Sequence, residues 1–197
     1  MTRLEQVLAA VDAANARDPG RDEATGKPAA LLYGRRMSDM LAALHPDAGE
    51  ELRIAVRGQH IERWTVPRSA YPMDRAGYLR WRGDLKNIHA GRLAALMGHA
   101  GYDEEAAAQV GRIVRKERFK LDPDAQALED VACLVFLRFY AAEFAAKHEA
   151  AKVEDIIAKT WRKMSERGRD AAKRLPLDPA VAERVAAALG QSSAAEG

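Results

Sequence analysis

Apolar residues recur at helical spacing along almost the whole chain, and only one short stretch, Glu50–His60, also alternates as a strand would. There Leu52, Ile54 and Val56 fit a strand, while Leu52, Ala55, Val56 and Gln59 fit a helix. A lone strand has nothing to pair with and no second candidate is found, so the stretch reads as a helix and the fold as all-α. Composition agrees: Ala, Leu, Glu, Arg and Lys dominate, and β-branched runs are scarce. With 197 residues, 48% of them hydrophobic, the chain is long enough to bury a core as a single compact domain, expected over residues 1–190. Residues 191–197 read as a frayed, disordered tail.

Seven or eight helices are expected. The first carries Leu4, Val7, Leu8 and Val11 and fades before Asp18-Pro19-Gly20; a polar loop over Arg17–Lys27 follows. Pro28 opens a second helix, with Tyr33, Met37, Met40, Leu41 and Leu44 on one face. After the Glu50–His60 helix, Pro67 and Pro72 make Thr65–Met73 loop-like. A long helix then runs from Asp74 to about Ala100, with Tyr78, Trp81, Leu85, Ile88, Arg92 and Leu96 in its stripe. Asp103 caps the next helix. Asp122-Pro123 starts another, apolar nearly all round, that extends through Leu128–Phe144. A helix with Val153, Ile157 and Trp161 follows, and Asp178-Pro179 caps an Ala-rich last one.

The single cysteine, Cys133, excludes an internal disulfide framework and a cysteine-rich zinc module, and within its apolar helix it reads as inert packing. The most apolar run, Val131–Ala146, is interrupted by Arg138 and Glu143, so no membrane span is expected. Without an apolar leader at the start, the expected location is cytoplasmic. No glycine-rich phosphate loop and no Gly-x-Ser-x-Gly elbow is present.

Polar residues stand out where a core is expected. Glu129 and Asp130 enter the most apolar helix, and Asp130 shares a stripe with Leu134, Leu137 and Ala141. A carboxylate there needs a basic or metallic partner. His89 lies on the apolar stripe of the long helix, and His60 ends the Glu50–His60 helix. Each histidine alone fits a bland role, a satisfied core residue or a helix-end cation. Together with Asp130, two imidazoles and a carboxylate from three apolar helices form a set that a divalent metal could hold.

Charge is unevenly distributed. The chain carries +2 overall, yet Arg53–Arg92 holds nine basic residues against three acidic ones, which leaves the remainder at −4. The cluster surrounds both histidines. Any one of these arginines reads as a solvated surface residue; their concentration suggests a phosphate or other anion held by Arg57, Arg63, Arg68, Arg80, Arg82, Lys86 and Arg92. A second basic run, Arg112, Arg115, Lys116, Arg118 and Lys120, is opposed only by Glu117.

Leu31-Leu32-Tyr33-Gly34-Arg35-Arg36-Met37, Gln59-His60-Ile61-Glu62-Arg63-Trp64, Tyr78-Leu79-Arg80-Trp81-Arg82, the Leu128–Leu137 segment and Thr160-Trp161-Arg162-Lys163-Met164-Ser165 resemble domain-of-unknown-function family 4202, an uncharacterised family of bacteria and fungi. More loosely, the order of His60, His89 and Glu129-Asp130 is similar to HD-domain metal-dependent phosphohydrolases, which implies an HD-like helical arrangement and a divalent metal cofactor. Under that resemblance His60 matches the histidine of the His-Asp pair, Asp130 the late aspartate and His89 a further metal-binding histidine. Ile61 stands where the paired aspartate belongs, with Glu62 one step later, and Arg35, Arg36 or Met37 stands where an early histidine is expected.

The leading expectation is therefore an HD-like hydrolase of a small phosphorylated or anionic metabolite, which could be a nucleotide. His60, His89 and Asp130 would hold the metal, with Glu62 or Glu129 assisting in catalysis, and the metal would activate water. The alternative is a non-catalytic anion- or nucleotide-binding module on the same scaffold. A nucleic-acid binder ranks third, since no known binding motif appears and the pI of about 8.7 is mild.

Overall fold

The computed structural model describes residues 1–194. Among them it contains ten α-helices, two single-turn 3-10 helices (Arg63–Thr65 and Arg68–Ala70) and no strand beyond one isolated bridge, Arg21 to Pro28. The fold is all-α. No helix is long and apolar enough to cross a membrane. The chain divides into two compact units, Met1–Leu128 and Glu129–Gly197, with the division inside a helix.

The first unit contains α1 (Arg3–Asn15), α2 (Ala29–Leu44), α3 (Glu50–Gly58), α4 (Arg75–His99) and α5 (Glu104–Arg115), and ends within α6 (Pro123–Phe139). Helix α3 touches α1, α2, α4 and α5 and so forms the hub. That position explains its strand-like sequence: Leu52, Ile54, Ala55 and Val56 are all at most 4% exposed, because neighbours cover the helix on more than one side. Gly58 sits where α3 meets α4, and a Cβ there would come within 2.4 Å of Leu93 Cδ2.

Local signals set most helix starts. Thr2 forms a capping box with Glu5, and the carboxylates of Asp74 and Asp103 accept from the N–H groups of Gly77 and Ala106. Asp122 accepts from Asp124 and Ala125 ahead of α6. Asp18, inside the expected loop, is buried and accepts from Ala30 N at 2.8 Å, so it caps α2 from a distance of twelve residues.

The second unit holds the rest of α6, then α7 (Ala141–Ala146), α8 (Ala150–Lys163), α9 (Glu166–Lys173) and α10 (Pro179–Ala194). The helix expected to run unbroken through Phe144 instead ends at Phe139; Tyr140, at φ −127°, separates α6 from α7. Helix α9 is not expected from the sequence, since Gly168 reads as a stop. Its Gly is there for space: a Cβ would lie 2.7 Å from Asp130 Cγ. Helix α10 extends past Gln191 to Ala194, so the first part of the expected tail is helical, and residues 195–197 lie outside the described residues.

Candidate functional site

The buried ladder of α4 is Trp81, Leu85, His89, Leu93 and Met97, an i, i+4 series. The expected stripe is thus rotated slightly: Ile88 is 45% exposed and Tyr78 42%, while His89 is 2% exposed. His60 lies in the turn that follows α3, held by Ile61 N–H donating to Gly58 O and Arg63 N–H donating to His60 O. Ile61, at 1% exposure, anchors that turn in the core. Where the HD resemblance calls for an aspartate, this position packs apolar surface.

The turn and α4 bring the two rings together, with centroids 6.0 Å apart. Tyr33 of α2 stacks on His60 at 4.9 Å, and its hydroxyl accepts from Gln59 Nε2. Arg63 Nη1 lies 3.4 Å from His60 Nε2, and its guanidinium sits over the Trp81 ring at 4.6 Å. The Trp81 indole N–H in turn donates to Val66 O. Around the rings is a small pocket of about 50 Å³, bordered by Arg63, Arg82, Lys86 and Lys116, with no carboxylate among the residues that line it. A water needs roughly 10–15 Å³ of such space, so the pocket has the capacity of about four waters.

Both imidazoles are held neutral. Burial pushes His60 well below its ordinary value, and Arg63, His89, Lys116 and Arg82 push it in the same direction. Burial and Arg63 bring His89 down to about 4. The Ile61 backbone favours a proton on the His89 ring, but neither ring nitrogen meets a partner at full hydrogen-bonding geometry. Burial also lowers the Arg63 guanidinium from its ordinary value, with Arg82 adding to the effect and Tyr33 and Tyr78 opposing it. Positive charge is thus concentrated where no protein anion lines the cavity.

Along the sequence, Lys116 is one member of the second basic run. It reaches the pocket from the end of α5, where its backbone adopts φ 57° in the left-handed region. A helix end of this kind is not visible as a site contributor from charge counting.

The other expected site residues have different surroundings. Arg57 makes a two-pronged pair with Asp12 at 2.7 Å in each arm. Arg68 donates to the carbonyls of Tyr71, Pro72 and Asp74 and ties the loop ahead of α4. Arg80 is exposed and lies 4.0 Å from Asp84. Arg92, expected to turn inward, is 41% exposed and pairs with Glu62 at 2.7 Å. Glu62 also binds Arg17 at 2.7 Å, and its backbone, at φ 51°, donates to the buried Asn15 side chain. Its carboxylate therefore braces the turn that carries His60 and Arg63.

In the second unit, Asp130 accepts from the backbone N–H of Ser165 at 2.8 Å and from the Ser165 hydroxyl, and Ser165 caps α9 through Gly168 N. Its neighbour Glu129 lies 3.5 Å from Lys163 Nζ. Cys133 is buried with its thiol directed at Thr160 O, as expected for packing. Of the expected metal set, the structure pairs His60 with His89, and Asp130 serves a helix start. Among the described residues no group of three or more His, Cys, Asp or Glu is arranged to hold a metal ion. His60 and His89 supply two neutral nitrogen donors, and the four cationic side chains that share their pocket oppose the charge of a divalent ion.

The chain matches no curated protein and no solved structure. The family described as Domain of unknown function (DUF4202) matches over residues 5–185, across both units, and the chain belongs to that family.

Proposed function

We propose that the protein binds a compact anion, foremost the phosphoryl group of a small metabolite, in the His60–His89 pocket. The observation that carries this reading is the set of four cationic side chains around a cavity whose lining has no carboxylate. Like charges gathered in a partly dry cavity repel one another until a counter-charge arrives; the Arg63 guanidinium is lowered first by burial, and Arg82 adds to that. An anion would meet guanidinium donors from Arg63 and Arg82, ammonium donors from Lys86 and Lys116, and neutral imidazoles at its base. The volume suits a phosphoryl or similar head group, with the rest of the ligand outside. Metal-dependent hydrolysis draws no support from this donor set, so binding is the function the geometry favours.

The test is thermal unfolding in inorganic phosphate against chloride at matched ionic strength. Ligand at a hundred times its Kd should stabilise the wild type by about 2.7 kcal/mol. Arg82→Ala, whose side chain has no carboxylate partner within the pocket lining, should remove that stabilisation without lowering the chloride baseline. Phosphate that stabilises neither protein beyond chloride would overturn the reading.

A further inference from the structure

We infer that the pocket selects anions by a proton: it takes an oxyanion that carries one, such as monohydrogen phosphate or a singly protonated phosphomonoester, over one of like size that carries none, such as sulfate. This rests on the anion-binding reading above and names the ligand class within it.

The argument starts from hydrogen-bond inventory. A neutral imidazole offers one N–H donor and one acceptor lone pair. At His60 the acceptor is accounted for, because Nε2 faces Arg63 Nη1 at 3.4 Å and a guanidinium can only donate. His89 differs. It is 2% exposed and lines the cavity; the Ile61 backbone favours an N–H on one side of the ring, and neither nitrogen meets a partner at full hydrogen-bonding geometry. Buried polar atoms are nearly always satisfied, so with the N–H side favoured by the Ile61 backbone, the remaining lone pair of a cavity-lining ring points to a ligand that completes it.

The groups that share the pocket with His89 are His60 and Arg63 from the turn after α3, Arg82 and Lys86 from α4, and Lys116 from the end of α5. The four cations are donors only, and they supply the oxygens of an anion. What they leave open is the His89 lone pair, which needs a donor from the ligand. Sulfate and a fully deprotonated phosphoryl group present only acceptors and would set lone pair against lone pair. A phosphoryl group with one P–OH gives the missing donor and keeps its other oxygens for the cations. Sites built to hydrogen-bond a group reject analogues that lack it, because the protein atom is left unpaired.

The experiment is calorimetric titration of the full-length protein with three probes at matched ionic strength: inorganic phosphate, sulfate and methyl phosphate. Inorganic phosphate keeps a proton through neutral pH, sulfate carries none, and a phosphomonoester loses its last near pH 6. Phosphate should bind at least tenfold more tightly than sulfate at pH 7. Methyl phosphate should lose affinity between pH 5.5 and 8 by at least tenfold more than inorganic phosphate does. His89→Phe should bring phosphate and sulfate within about twofold of each other, whereas His89→Gln, which keeps an acceptor oxygen, should preserve the preference. If either variant fails to fold, the wild-type comparison of phosphate with sulfate decides by itself. Sulfate binding within threefold of phosphate would overturn the inference and leave anion binding standing; failure of every probe to bind would overturn both.

Discussion

Two polar intrusions into apolar helices have opposite outcomes in this molecule. Asp130, in the second unit, is 2% exposed and both of its oxygens accept hydrogen bonds from Ser165. His89, in the first unit, is equally buried and has neither ring nitrogen satisfied. From the sequence both are the same anomaly, a titratable group on a hydrophobic stripe. The difference lies in what the fold brings to meet them. A buried group with its partners in place stabilises the structure, and one left without partners beside a cavity costs stability.

The largest effect should fall on the satisfied member. Asp130→Ala removes two hydrogen bonds to a buried carboxylate and leaves the Ser165 donors ahead of α9 without their partner, so urea unfolding should show a loss of about 4 kcal/mol. A loss under about 1 kcal/mol would mean that Asp130 is not structural, and the contrast with His89 would collapse.

The unsatisfied member should reveal itself through pH. An unfolded histidine titrates near 6.5, and folded His89 near 4. Between those values the unfolded chain binds the extra proton, so its contribution to stability is complete above pH 6.5 and is lost as pH falls towards 4. The loss attributable to His89 should approach about 3 kcal/mol, at roughly 1.4 kcal/mol for each pH unit. His60, lowered chiefly by burial, acts in the same direction. In His89→Phe the acid-side slope should be correspondingly shallower, as read from denaturant midpoints between pH 7 and 4; an unchanged slope would show that His89 is not a buried neutral imidazole.

A smaller effect tests how tightly α3 holds the pocket turn. Gly58→Ala would drive a methyl into Leu93, costing about 2 kcal/mol by overpacking. Because His60 and Arg63 follow within five residues, this variant should also weaken the phosphate-induced thermal shift, whereas Asp130→Ala should leave that shift in place.

Much of the helix pattern is legible along the chain. Asp74, Asp103, Asp122 and Asp178 each cap the helix that they precede, because an N-cap acts on N–H groups two or three residues away and needs nothing distant. Helix α9 and the break at Tyr140 are less legible. Gly168 resembles a local stop, but its reason is the Asp130 carboxyl group, 38 residues earlier, packed against it. For the site, the inward turn of His89 and the density of basic residues near both histidines are readable. Which of those residues face a ligand is not: Arg57 and Arg92 are paired with Asp12 and Glu62, from 45 and 30 residues earlier in the chain.

The helical class, most helix starts and the concentration of positive charge around two histidines follow from the chain alone, since periodicity, caps and composition act over a few residues. Packing settles which charges distant carboxylates neutralise, that Lys116 joins Arg63, Arg82 and Lys86, and that Asp130 supports a helix cap. Hydrogen bonds and ion pairs depend on separations of a few ångströms, and chain distance says nothing about those until the helices have packed.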